Sequence, residues 1–143
     1  MYKKILVPTD GSEFALKAEH VALELAKLMG SEIIAVSIIE NSFVNGLPLD
    51  SEVFELNEIL KEDSQKNIDD FEDMDKKENF DIKITSVIKE GSPAKEILKV
   101  AEEEDVDLII IGSSGKSKFD KFLMGSVADK VSKHASCSVM VIH

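Results

Sequence analysis

Short apolar runs and helix-periodic stretches take strict turns along this chain, and that alternation limits its fold more than any other feature. Lys3 to Pro8 (KKILVP), Glu32 to Ile39 (EIIAVSII) and Asp107 to Ile111 (DLIII) are rich in aliphatic residues, as strands covered on both faces must be. Asp81 to Lys89 (DIKITSVIK) alternates only in part and carries charge, which suits a sheet edge, and Ser138 to Ile142 (SVMVI) reads as a last strand. Between the first two strands, Thr9-Asp10-Gly11 is a turn and Ser12 an N-cap. Ala15, Ala18, Ala22, Leu25, Ala26 and Met29 then recur at helical intervals up to the stop signal Gly30. Asn41 to Leu49, with Gly46 and Pro48, is a loop. From Asp50 onward Val53, Leu56, Ile59, Leu60, Ile68, Phe71 and Met74 fall at broadly helical spacing, in one long helix or two shorter ones. Ser92 is placed to cap, and Pro93 to open, a helix with Ile97, Leu98, Val100 and Ala101 inward; a final helix starts near Gly125.

The resulting order, βαβαβαβαβ in 143 residues, predicts a single α/β domain over residues 1–143. Its expected architecture is an open five-stranded parallel sheet with helices on both faces and right-handed crossovers. Ligands of such folds bind beyond the carboxyl ends of the strands, where the strand order reverses. If the first and fourth strands are neighbours at that point, the turn after Pro8 and the loop after Gly112 share one cleft.

That loop has a distinctive pattern. Gly112-Ser113-Ser114-Gly115 is followed by nine residues and then Gly125-Ser126, just after one strand and just before a helix. Glycines allow positive φ and close approach to the main chain, and amides at a helix start carry partial positive charge, so the arrangement reads as an anion cradle with phosphate as its guest. It is not a P-loop, which needs a glycine where Ile110 stands, nor a dinucleotide fingerprint, which needs G-x-G-x-x-G where Thr9-Asp10-Gly11-Ser12 stands. A phospho-accepting receiver domain would need an acceptor aspartate after the third strand, where the chain has Lys89-Glu90-Gly91.

Charge is unevenly spread. Asp50 to Asp81 holds thirteen acids against four lysines and so supplies most of the formal net charge of −11, whereas Ser113 to the C-terminus has five lysines against two aspartates. The overall acidity excludes general nucleic-acid binding, which needs a broad basic footprint. A small anion at the locally basic glycine loop remains compatible. Lys116, Lys118 and Lys121 read as solubilising charges whose field still favours an anion. The chain contains no arginine, so it lacks a group that accelerates phosphoryl transfer about 10³- to 10⁵-fold where present. The longest apolar run is far below the roughly 18 residues of a membrane span, and no secretory signal follows Met1. Cytoplasmic localisation is therefore expected. The single cysteine, Cys137, placed in an apolar strand, reads as an inert core thiol consistent with a reducing compartment.

Across almost its whole length the chain resembles the universal stress protein family. The resemblance rests on the opening K-K-I-L-V-P-T-D-G-S (Lys3 to Ser12), E-G-S-P (Glu90 to Pro93), D-L-I-I-I-G-S (Asp107 to Ser113) and G-S-V-A-D-K-V with a final apolar strand. Gly112, Gly115, Gly125 and Ser126 match the family's ATP-binding pattern, G-x-x-G, nine residues, then G followed by S or T. The resemblance implies an adenine nucleotide α-hydrolase-like sheet of order 3-2-1-4-5. It also implies ATP with Mg²⁺: Pro8, Thr9 and Asp10 beside adenine and ribose, Ile38 beside the base, and Ile111 flanking the nucleoside. Gly112, Ser114, Gly115, Gly125, Ser126 and Val127 would hold ribose and phosphates. Ser114 stands where relatives often carry histidine. A homodimer through the last strand is implied as well, with a protein partner unnamed by the residues.

No catalytic constellation accompanies this pattern. His20 lies within the first helix, His134 near the end of the last and His143 at the terminus, and no Ser/His/Asp set or metal cluster is placed at the cleft. The expected function is that of a nucleotide-dependent regulatory or stress-response protein with no protein-derived metal site, and not of an enzyme. A slow ATP hydrolase and a nucleotide-free interaction module of the same fold are the alternatives.

Overall fold

Five strands and four helices alternate: β1 (Lys4–Pro8), α1 (Glu13–Met29), β2 (Glu32–Ile39), α2 (Ser51–Glu78), β3 (Ile84–Glu90), α3 (Pro93–Glu103), β4 (Leu108–Gly112), α4 (Ser126–His134) and β5 (Ser138–Ile142). This computed structural model describes residues 2–40, 46–48, 50–114 and 124–143; most of the expected loop at Asn41 to Leu49, and Gly115 with the three loop lysines, lie outside them. All neighbouring strands pair in parallel in the order β3-β2-β1-β4-β5, as the resemblance implied.

Side-chain alternation along the strands feeds two cores. Ile5, Val7, Ile33, Ala35, Leu108 and Ile110 meet α1, through Ala18, Ala22, Leu23 and Ala26, and α2, through Ile68 and Phe71. On the opposite face Leu6, Ile34, Val36, Ile109 and Ile111 meet α3 and α4. The helices end as their residues dictate. Ser12 caps α1 by accepting from the Ala15 N–H at 3.2 Å, and Gly30 closes it in the left-handed region at φ 69°.

Several local expectations need correcting. The acidic stretch is one helix of 28 residues, the first of the two forms expected, but its inward stripe is less buried than its spacing suggests: it is about 42 Å long at 1.5 Å per residue, whereas the eight residues of β2 span only about 26 Å. The first turns of α2 therefore overhang the sheet, leaving Val53, Leu56 and Leu60 only half-buried and Ile59 exposed despite their helical spacing. β3 starts at Ile84 and not Asp81, because Asn79 and Asp81 take positive φ in the reversal that follows α2, held by Asp75 Oδ1 accepting from Ile82 N–H. Ser92 sits at the α3 N-cap but makes no side-chain cap bond, leaving Pro93 as the start signal. Cys137 precedes β5 and is half-buried, so it is neither in the strand nor in the core.

Candidate functional site

The cleft begins where two strands part. β1 pairs with β2 over its whole length, to Pro8↔Val36, but with β4 only at Ile5↔Leu108 and Leu6↔Ile109. Thr9 donates its N–H to the Val36 carbonyl on β2 at 2.8 Å. Strand alternation then turns the Pro8 nitrogen toward β4, where proline has no N–H to leave unpaired. The opening thus lies at the carboxyl end of the sheet, between β1 and β4, where strand order reverses.

A cleft of about 520 Å³ occupies this place, within the roughly 300–1,000 Å³ typical of small-molecule sites. Pro8, Thr9, Asp10, Ile38, Ile111, Gly112, Ser114, Gly125, Ser126 and Val127 all line it, so every described residue of the expected site comes together. Gly115 lies outside the described residues.

The two ends of the cleft differ in character. Asp10, Glu40 and Asp63 put carboxylates on the β1, β2 and α2 side with Pro8 and Ile38, while Ile97 and Ile111 pack in one cluster with Ala128 of α4. Toward β4 the wall is Gly112, Ser113, Ser114 and the start of α4. Gly125 occupies the N-cap of α4 and supplies no side-chain cap. Helix geometry leaves the N–H groups of Ser126, Val127 and Ala128 without intrahelical acceptors, and all three residues face the cleft. An anion fits this end and is repelled at the other. Asp10 Oδ1 also accepts from the Ser12 N–H at 2.8 Å, so it stabilises its own turn while remaining exposed to the cleft.

The cradle glycines act differently from expectation. Of the two described, neither takes positive φ: Gly125 is at −62°, and Gly112 is not among the left-handed glycines. Gly112 is the last residue of β4, and a Cβ there would lie 2.7 Å from the backbone carbon of Phe14 at the start of α1. Close packing of two main chains is what requires glycine at this position. Gly11 does take positive φ, 77°, and a Cβ on it would meet Asn67 Oδ1 at 2.6 Å.

The wall supplied by α2 was not foreseen. Leu60, Asp63, Ser64 and Asn67 line the cleft, and buried Ser64 donates to Ser37 Oγ at 2.5 Å. Its only sequence signal was the continuation of the inward stripe of α2 through Leu60, Ser64 and Asn67 with polar residues. Glu19 also escaped notice, although it interrupts the inward alanines of α1. It is 1 % exposed, accepts the Thr9 hydroxyl hydrogen bond at Oε1, and leaves Oε2 buried without a partner. Burial pushes its pKa from 4.5 to about 7; the Thr9 bond opposes the shift and the charges of Asp10 and Asp70 add to it.

Neither histidine nor cysteine lines the cleft among the described residues. His20 instead lies between Glu24 and Glu78 at 3.2 and 2.9 Å. No group of three or more His, Cys, Asp or Glu among the described residues could hold a metal ion, and none of their helices is long and apolar enough to cross a membrane.

The model of the universal stress protein family matches residues 1–143. The chain belongs to that family. Universal stress protein MJ0531 of Methanocaldococcus jannaschii is 38 % identical over 142 residues, covering 99 % of this chain and 82 % of the relative. The solved structure of MJ0577, a universal stress protein of the same organism, superimposes with a TM-score of 0.87 at 34 % identity, covering 99 % of this chain and 96 % of that one. A universal stress protein family structure from Arabidopsis thaliana with AMP bound shares the fold, with a TM-score of 0.72 at 19 % identity over 98 % of this chain and 90 % of that one.

Proposed function

We propose that this universal stress protein binds ATP, with Mg²⁺ on the phosphates, and acts as a nucleotide-dependent regulatory protein without rapid turnover. The observation that carries this reading is the polarity of the cleft: an apolar, acid-bearing end at Pro8, Asp10 and Ile38 faces the unpaired amides of Ser126, Val127 and Ala128. The carboxylates suit hydrogen-bond donors on a base or ribose and repel phosphate, which orients a nucleotide along the cleft. In this orientation Ile111 flanks the nucleoside, Thr9 borders it, and Gly112, Ser114 and Gly125 border the phosphates. Mg²⁺ would take its ligands from phosphate oxygens and water. AMP in the Arabidopsis relative supports the ligand class.

Any regulatory effect is limited by the nucleotide's differential affinity for two states of the protein. Titration calorimetry on nucleotide-free protein tests the reading directly. MgATP should give saturable heat with one site per chain, and no heat at millimolar ligand would overturn it. Single-turnover assays of the same sample should show no release of phosphate on the timescale of binding.

A further inference from the structure

Glu19 is buried against the turn that borders the cleft. It lies in the second turn of α1 with Oε2 buried and unpartnered, while Oε1 is joined to the hydroxyl of Thr9, which itself borders the cleft between Pro8 and Asp10. The charges that reach it are Asp10, from the turn after β1, and Asp70, from α2, and both are acidic. Asp70 is itself held by Lys66 at 2.7 Å. Of the strands that pack on α1, β4 and β5 carry no ionisable side chain, while in β1 and β2 Lys4 donates to the Glu104 carbonyl at 3.0 Å and Glu32 pairs with Lys83 at 3.5 Å. An ionised Glu19 thus has one oxygen without a donor and no opposing charge, a state that burial penalises. Its pKa of about 7 places the ionisation where solvent can shift it.

We propose that Glu19 is a positioning residue for the Thr9-Asp10 turn and takes up a fraction of a proton from solvent when nucleotide fills the cleft. This inference rests on the nucleotide reading above. A ligand against Thr9 excludes water from the turn and brings phosphate charge into the same cleft, and both effects act against the carboxylate and spare the neutral acid. The Glu19 pKa in the occupied protein is then higher than in the free one. By linkage, affinity is greatest below the free-state pKa, falls as pH rises through it, and levels off above the occupied-state pKa. A rise of one unit corresponds to about a tenfold difference between the two plateaus.

Glu19→Gln mimics the neutral acid and retains an acceptor for Thr9, so it separates protonation from shape. Calorimetry with MgATP on the full chain, from about pH 6 to about pH 8.5, should show wild-type affinity falling roughly tenfold relative to Glu19→Gln. At the alkaline end the variant should bind more tightly than wild type, an outcome that damage to the fold cannot produce. Comparison at equal pH cancels the ligand's own titration. In parallel, carbon-13 NMR of the wild-type Glu19 carboxyl should titrate at higher pH with saturating MgATP than without it. Parallel affinity profiles, or a carboxyl titration unmoved by saturating nucleotide, overturn the inference and leave the ATP reading intact. Absence of binding in both proteins at every pH overturns the ATP reading and this inference with it. If Glu19→Gln does not fold, the NMR titration of the wild-type chain decides alone.

Discussion

Glu19 and Asp107 pull stability in opposite directions with pH. The native state raises the Glu19 pKa from 4.5 to about 7, so it binds this proton more tightly than the unfolded chain does. The associated stability is complete below about pH 4.5 and is lost as pH rises through about 7, on the order of 3 kcal/mol in all. Glu19→Gln should therefore leave the melting temperature nearly unchanged at about pH 4.5 and raise it by several degrees at about pH 8.5. Equal shifts at both pH values in thermal denaturation would contradict the assignment. Asp107 behaves in the reverse sense. Its Oδ2 accepts from the backbone N–H groups of Lys4 and Lys3 at 2.9 and 2.8 Å, which lowers its pKa. Its contribution is present above the ordinary carboxylate range and is lost as pH falls through the depressed native value. Gly112 gives a test free of titration. Because a Cβ there meets Phe14 backbone, Gly112→Ala should cost about 1–3 kcal/mol in denaturant unfolding without any nucleotide. An unchanged midpoint would show that the α1 start can yield.

Helix ends show how far local signals carry. Gly30 closes α1 at φ 69° with nothing within 4 Å of its added Cβ, so Gly30→Ala tests backbone preference alone and should cost about 1 kcal/mol in chemical denaturation. A cost near zero would mean that the cap rearranges. The bounds of β2 and β5 and the N-cap of α1 were legible because each depends on its own few residues. β4 runs one residue later than its apolar run suggests, since Gly112 looks like the start of a loop and joins the strand by pairing with Ile142 of β5. The outer turns of α2 failed in another way. Val53, Leu56 and Leu60 have the spacing of a buried face, but spacing does not reveal where the sheet beneath a helix ends.

The two edges of the sheet are unlike. β3 carries Lys89 and Glu90 on its outer edge, whereas β5 (SVMVI) has no charge and exposes Met140 at 36 %. An uncharged apolar edge is open to pairing, and we propose that a second copy covers it. Met140→Lys should then convert a dimer to a monomer in size-exclusion chromatography with light scattering while leaving the fold intact. A wild-type chain that is monomeric at micromolar concentration would remove the proposal. Net charge acts on the same scale. Thirteen acids in Asp50 to Asp81 crowd mainly onto one helix, and screening of that repulsion should make moderate salt raise the midpoint of thermal unfolding.

Element order was readable along the chain because strand alternation, glycine spacing and helix starts are local patterns, whereas the strand order and the ten cleft residues came through the family resemblance that those motifs carry. Tertiary structure decided what touches what. Asn67 against Gly11, Ser64 on Ser37 and Glu19 beneath Thr9 join elements whose mutual distance no linear pattern encodes. Burial, which follows only from packing α1 and α2 on the sheet, turned an ordinary glutamate into a group that ionises near neutral pH.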